Sequence, residues 1–331
     1  MKTKIRIGGL GHAVGSHVIS NHDLAHSLGL DDGWFAERTG IVERRVCGPG
    51  EDVQVLAGQA VTAACKDAGL SVGELGNETV LLHVQNGMTC LTPPSGIVLA
   101  EGLGLGDVRV MAVDGVCAEP IMAIELAALM LAARRCDRVV VCAAADFLPI
   151  IDPADLPTVG LFGAGAGAIV LTRADERGDA ASLRSLRWET HAEYAHLGRI
   201  PVHGYRPAAG GVDITAGFYQ MDGHGLARAA LRFLPGLVSA VLDEAGWERH
   251  DLGLVIAHQP NAKLLDIGIR ALKLDPATVP MPVRHLGNMG PASLLVNLSL
   301  AGVQGQLAPG LKLLLVAFGL GFTCGAAAIE L

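Results

Sequence analysis

From Val113 to Asp137 the chain reads VDGVCAEPIMAIELAALMLAARRCD, and between Glu119 and Arg134 its only charge is Glu125. A helix with no polar face must be covered on nearly every side, which only a large layered domain supplies. The stretch opens on a turn at Asp114 and Gly115 that ends on Cys117. Pro120 falls in the first turn, where its missing N–H costs nothing. Arg134 and Arg135 close the last turn against the negative end of the helix dipole. This pattern predicts about five helical turns, with Cys117 at the positive end, where thiolate is favoured over thiol. A buried Cys is more often an inert small hydrophobe, so this turn alone marks only a candidate nucleophile.

The pattern returns later in the chain. Arg284 to Ala301 is again a turn followed by a nearly uncharged helix, with Asn288 where the first copy has Cys117. A continuous apolar run follows each helix: Arg138 to Ala143 in the first, Lys312 to Ala317 in the second. Such runs read as strands covered on both faces. A Gly-rich segment then follows each, Leu161 to Leu171 and Phe318 to Leu331. Two similar α/β halves are therefore expected, 1–174 with the Cys and 175–331 with Asn288, joined by a polar linker at Arg173–Asp179 and packed with their buried helices at the centre. An apolar share of 50% with 18% charged residues suits close-packed layers and argues against disorder. A net charge of −8 gives no general attraction to nucleic acid. Seven cysteines without a CxxC pair point to a reducing cytoplasm. No secretory signal is expected from MKTKIRIGGLGHAVG, which lacks a continuous apolar core. The run Leu313 to Ile329 is broken by glycines and reads as two strands rather than a membrane span.

Other features are read more plainly. Lys4 to Leu10 predicts a first strand, after which Gly9, Gly11 and Gly15 imitate a dinucleotide loop. The next helix starts only at Ser20-Asn21, and no acidic strand end follows, so a tight glycine turn is expected instead. His12, His17, His22 and His26 have no Cys or carboxylate cluster beside them and are read as solvated, not as metal ligands. Helical spacing runs from Asp52 to Gly69, and Thr79 to Val84 predicts a strand leading into a Gly87–Ser95 loop.

The chemistry gathers in the second half. LVIAHQPNAKLLD predicts a strand ending at His258 and a helix starting at Asn261, and strand ends are where α/β proteins place ligands. A Cys nucleophile can attack a thioester, while neutral His and an Asn amide can both donate to an oxyanion or enolate. A hydrolase would use the Asn to orient the His; a condensing enzyme would aim both at a second substrate.

SNHDL, WFAERTGI, DGVCAEP, FGAGAGAIVL, HQPNAKLLD, LGNMGPAS and AFGLGFTCGAA together span nearly the whole chain. In these motifs the sequence resembles the β-ketoacyl-acyl-carrier-protein synthase III family, condensing enzymes of the thiolase superfamily. The resemblance implies a five-layered αβαβα fold, a homodimer, and a catalytic Cys117, His258 and Asn288. It implies an oxyanion hole from the backbone N–H groups of Cys117 and Leu320. Gly319 and Gly321 flank that residue and, with Pro93, border the acyl pocket. Trp34, Arg38 and Asn261 match coenzyme A and pantetheine contacts, and Arg228, Lys263 and Arg270 match carrier-protein docking positions. No permanently bound cofactor is implied. The substrates would be acyl and malonyl thioesters of coenzyme A or acyl carrier protein, joined by decarboxylative Claisen condensation in fatty acid or polyketide biosynthesis. The alternative is acyl transfer to a hydroxyl or amine, with His258 as base and no CO₂ released. Three departures bear on substrate. Leu156 stands where CoA-using members place an Arg against the adenine. Pro93 replaces a bulky residue that reaches across the dimer, and Ala164 replaces an acidic one. LGNMGPAS and HQPN resemble secondary-metabolism branches of the family.

Overall fold

The structure, a computed structural model, describes residues 3–86, 91–114, 116–174 and 181–331. The Gly87–Ser95 loop, Cys90, Gly115 of the nucleophile turn and the 174/175 boundary with its linker therefore lie wholly or partly outside the described residues.

The first strand, Thr3–Val14 (β1), is longer than expected and runs straight through Gly9 and Gly11. Those glycines are thus not a turn. A Cβ on either would stand 2.3 Å from a carbonyl oxygen, of Ala64 for Gly9 and Ala60 for Gly11. Both carbonyls belong to helix Val53–Asp67 (α1), capped by Asp52, which accepts from the N–H groups of Gln54 and Val55. Glycine here lets helix and strand backbones touch.

The first half continues with Thr79–Asn86 (β2), Ser95–Gly102 (α2), Arg109–Ala112 (β3), Glu119–Ala132 (α3), Arg138–Ala145 (β4) and Gly165–Arg173 (β5). The second comprises Ala181–Thr190 (β6), Gly223–Ala245 (α4), Leu254–Ala257 (β7), Ala262–Leu272 (α5), Ala292–Val303 (α6), Lys312–Gly319 (β8) and Thr323–Glu330 (β9). The strands hydrogen-bond in the order β7-β8-β9-β6-β1-β5-β4-β2-β3, a nine-stranded sheet. Its halves meet only where Thr3–Ile5 lies antiparallel to Ala181–Leu183. Away from that seam the order is mirrored. In each half the first strand pairs antiparallel with the last, the last antiparallel with its predecessor, and that predecessor parallel with a further strand, β2 in the first half and β7 in the second. Only the first half adds a further edge strand, β3.

Helices α3 and α6 lie between the two halves of the sheet, while α1 covers the outer face of one and α4 that of the other. This is the expected αβαβα layering. Ile121, Ile124 and Leu131 of α3 share one core with Val139, Val141, Leu295, Leu298, Leu313 and Leu315. Each such side chain contributes about 1.5–3 kcal/mol by leaving water. Among the described residues only α4 is long and apolar enough to cross a membrane, and its Leu226, Leu234, Leu237, Val238 and Val241 pack into the outer core instead.

Helix α3 differs from expectation in three respects. It has 14 residues, about four turns, and starts at Glu119 after a 3₁₀ turn over Val116–Ala118. It ends before Arg134, which is left-handed at φ 53°, because the N–H groups of Arg134 and Arg135 turn back to the carbonyls of Leu131 and Met130. Nor is it covered all round: Leu129 is 45% exposed, as is Met111 on β3 at 43%.

Candidate active site

The backbone ahead of Cys117 is strained. Val116, a β-branched residue, sits at φ 61°, a conformation that persists only when its surroundings impose it. The restraint is Glu119, buried at the start of α3, whose carboxylate accepts the Val116 N–H at 2.5 Å. On the far side lies the turn Leu320–Phe322 between β8 and β9. A Cβ on Gly319 would stand 2.7 Å from the Cys117 nitrogen and 3.2 Å from its Cβ. Gly321 has φ 114°, where a side chain is strained. The two glycines thus let Leu320 be carried against Cys117.

Burial pushes the Cys117 thiol well up, and the Glu119 carboxylate adds to the effect. The expectation of a thiolate favoured by the helix N-terminus is therefore corrected. Cys117 precedes the helix proper, and desolvation together with a neighbouring negative charge acts against the thiolate.

His258 follows β7 directly and extends its parallel ladder, donating its N–H to Val316 O at 2.8 Å. Its ring lies edge-on to Phe318, centroids 5.6 Å apart. Burial lowers it to about 4, opposed in part by a backbone hydrogen bond with Gly290. The imidazole is neutral at physiological pH. The following Gln259 fixes the loop by donating to Pro280 O at 2.7 Å and accepting from Val283 N at 3.1 Å.

Asn288 is held by the Gly-rich motif of the first half. Its N–H donates to Leu161 O at 2.8 Å, and its carbonyl accepts from Gly163 N at 3.0 Å. A Cβ on Gly163 would lie 2.1 Å from Leu286 O, so the FGAG and LGNMG segments interlock through a glycine. The Asn288 Oδ1 accepts from Gly290 N at 2.9 Å. That bond orients the amide and leaves Nδ2, a donor, for the site. Gly290 therefore touches both Asn288 and His258. A Cβ on it would also lie 2.5 Å from Phe147, whose ring is tilted against Phe162 and edge-on to Tyr219. Tyr219 closes the circuit, its hydroxyl pushed up chiefly by burial. Leu320 packs on the same aromatic cluster.

Sequence reasoning passed over Glu119, Val116, Phe147 and Tyr219. Strain at Val116 has no sequence signal, and the aromatics come from three separate segments.

The remaining predicted residues lie on other elements. Helix Trp34–Thr39 abuts the start of α5, where a Cβ on Gly40 would lie 2.9 Å from that of Ala262. Arg38 stacks 4.3 Å over the Trp34 ring and donates to its carbonyl at 3.1 Å. Asn261 caps α5, its Oδ1 accepting from Leu264 N at 2.8 Å, which leaves only its NH₂ for a ligand. Lys263 and Arg270 are exposed on α5, two turns apart. Arg228 is exposed on the adjoining α4 and lies 3.9 Å from Asp222. Pro93 is exposed just ahead of α2. Of the early histidines, His22 is exposed beside Asp32 and stacks on His26 as expected, whereas His12 is not solvated: its ring lies 2.8 Å from Ser299 Oγ and burial lowers its pKa.

Two buried imidazoles make stability depend on pH. His83 is lowered to about 4 by burial, like His258, whereas an unfolded His titrates near 6.5. Between those values the unfolded chain takes up protons that the folded one refuses. Stability is thus full above about pH 6.5 and falls as pH drops toward 4, by about 3 kcal/mol for each such group. Urea midpoints from about pH 8 to 4.5 should be level at first and then decline. A midpoint that held level to pH 4.5 would contradict neutral burial.

Residues 111–190 match the family described as 3-oxoacyl-[acyl-carrier-protein (ACP)] synthase III, and residues 242–331 match its C-terminal counterpart. The β-ketoacyl-[acyl-carrier-protein] synthase III of Rhizorhabdus wittichii is 34% identical over 322 residues, covering 97% of this chain and 98% of that protein. The acetoacetyl CoA synthase NphT7 of a Streptomyces species is 32% identical over 329 residues, with 99% and 98% covered. Among solved structures, 3-oxoacyl-(acyl carrier protein) synthase III, FabH, from Pseudomonas aeruginosa superposes with a TM-score of 0.86 at 26% identity, covering 99% and 98% of the two chains.

Proposed function

The chain belongs to the 3-oxoacyl-[acyl-carrier-protein] synthase III family, and on that footing we propose that Cys117, His258 and Asn288 carry the two half-reactions of a decarboxylative condensing enzyme. Cys117 is a thiol at rest, so its proton must leave as sulfur attacks the acyl thioester. Neutral His258 is the base the site offers, and it returns the proton to the departing thiolate. A malonyl thioester then binds with its carbonyl oxygen facing His258 and Asn288 Nδ2. As the C–CO₂ bond breaks, its electron pair enters an enolate that both donors stabilise. The enolate carbon attacks the acyl carbonyl, whose oxyanion meets the Cys117 and Leu320 N–H groups, and collapse expels the Cys117 thiolate, which takes up a proton from solvent to restore the resting thiol. The observation carrying this reading is the Asn288 amide, whose acceptor end is spent on Gly290 and whose donor end alone is left for substrate. Acyl transfer to a hydroxyl or amine is not favoured, since it calls for no such donor.

The proposal extends to substrate delivery and assembly. Arg228, Lys263 and Arg270 lie on two adjoining helices and suit an acidic carrier protein. Trp34 with Arg38, and the free amide NH₂ of Asn261, suit a pantetheine or coenzyme A chain. Gly319, Gly321 and Pro93 border the acyl pocket. The unpaired edge of β3 and the exposed Met111 and Leu129 suit pairing with a second copy. The mirrored pairing supports 1–174 and 175–331 as copies of one unit. All six described cysteines are free, in keeping with a reducing cytoplasm.

The test is intact-mass detection of the acyl-enzyme with one acyl group presented on coenzyme A or on a carrier protein, followed by a malonyl thioester. The carrier-linked donor should acylate faster. Lys263→Glu should slow the carrier reaction about tenfold or more at low salt and leave the CoA reaction nearly unchanged. Equal slowing of both donors would remove the docking role. An adduct that is not consumed, with CO₂ release, on adding the malonyl thioester would remove the condensing one.

A further inference from the structure

A second cluster of reactive side chains lies behind the Leu320–Phe322 turn. Glu189 is the penultimate residue of β6 and His191 follows its last residue, so their side chains share a face of the sheet while Thr190 points to the other. On β9, Cys324 pairs directly across from Glu189, which puts its thiol on that same face. His191 Nε2 lies 3.1 Å from Glu189 Oε1, and Cys324 Sγ lies 3.8 Å from that oxygen. One donor atom from each residue falls within 4.8 Å of the others. The imidazole is held flat against Phe233, centroids 3.6 Å apart and planes 17° apart, while its backbone N–H donates to Phe322 O at 2.8 Å. Cys324 is buried, but the Glu189 side chain is 44% exposed and that of His191 21%, so the cluster opens to solvent.

We propose that Cys324, His191 and Glu189 form a binding site for a zinc-class divalent cation, with a fourth position open to water. Tetrahedral zinc has bonds of about 2.3 Å to sulfur and about 2.0–2.2 Å to nitrogen and oxygen, which places neighbouring ligand atoms roughly 3.3–3.8 Å apart. Two of the three donor pairs, at 3.1 and 3.8 Å, already stand near that spacing. A thiolate and a carboxylate balance the dication, so the filled site is neutral. Binding releases one proton, from the Cys324 thiol to solvent. Sulfur and imidazole donors select zinc, cobalt or copper over magnesium and calcium, which require oxygen ligands. The cation would bear on the reaction through the backbone, because His191 and Phe322 exchange hydrogen bonds in both directions. Phe322 ends the turn that carries Leu320.

The test uses the full-length protein with Cys117→Ala, so that the active-site thiol cannot bind metal. Cobalt(II) should bind one per chain with a thiolate-to-cobalt absorption in the near ultraviolet, and zinc should displace it. Cys324→Ser, close to isosteric, should abolish the band, and Glu189→Gln should weaken zinc binding at least tenfold. Both variants should keep the parent's circular dichroism. A band that survives Cys324→Ser, or no stoichiometric binding in the parent, would overturn the assignment.

Discussion

Cys117→Ala is expected to yield no acyl-enzyme with any thioester donor and to lower turnover by on the order of 10⁴ or more, the scale on which nucleophile deletions act. The fold should survive the change. The strained Val116 turn is held by the Glu119 carboxylate and not by the thiol, and substitution removes a single half-buried sulfur. Covalent loss with intact circular dichroism would therefore report chemistry. The other described cysteines compete poorly for the role. Cys65, Cys136, Cys142 and Cys324 are buried, whereas Cys117 is part-exposed. The backbone of Gly319, at the start of the Leu320 turn, is packed against Cys117 and not against any of these. Peptide mass spectra of acylated protein should place the adduct on Cys117. An adduct mapping to another cysteine would remove the site assignment.

Asn288→Asp is expected to keep acylation and lose decarboxylation by about 10²–10³-fold, the scale of one oxyanion-type donor. Asp is the cleaner substitution. Its carboxylate still accepts the Gly290 N–H that Oδ1 accepts now, whereas Ala would leave that buried donor unpaired at a cost of about 1–3 kcal/mol. What Asp removes is the Nδ2 donor, placing a negative charge where the enolate develops. Acyl-Cys117 should accumulate, and CO₂ release from labelled malonyl thioester should fall. CO₂ release at the parental rate would mean that Asn288 is not an enolate donor and would return acyl transfer to a hydroxyl or amine as the better reading.

The sequence by itself determined the layers. Apolar runs over Arg138 to Ala143 and Lys312 to Ala317 can only be strands covered on both faces, and the near-uncharged helices that precede them can only lie inside. The repeat of that order, with Asn288 in the place of Cys117, already implied a mirrored arrangement. The motifs carrying the family resemblance are local strings, so they too were legible. What the tertiary structure decided are quantities that depend on neighbours distant in the chain. The protonation of Cys117 follows from desolvation and from Glu119, which a helix-end argument leaves out. Gly9 and Gly11 lie within a strand because α1 needs room for its carbonyls, a steric fact between segments some fifty residues apart. The donor end of Asn288 is selected by one backbone N–H, and Arg38 over Trp34 by side-chain packing. Cross-strand register brings Cys324 opposite Glu189. Periodicity tells a residue which face it occupies; only strand pairing tells it which residue it will meet.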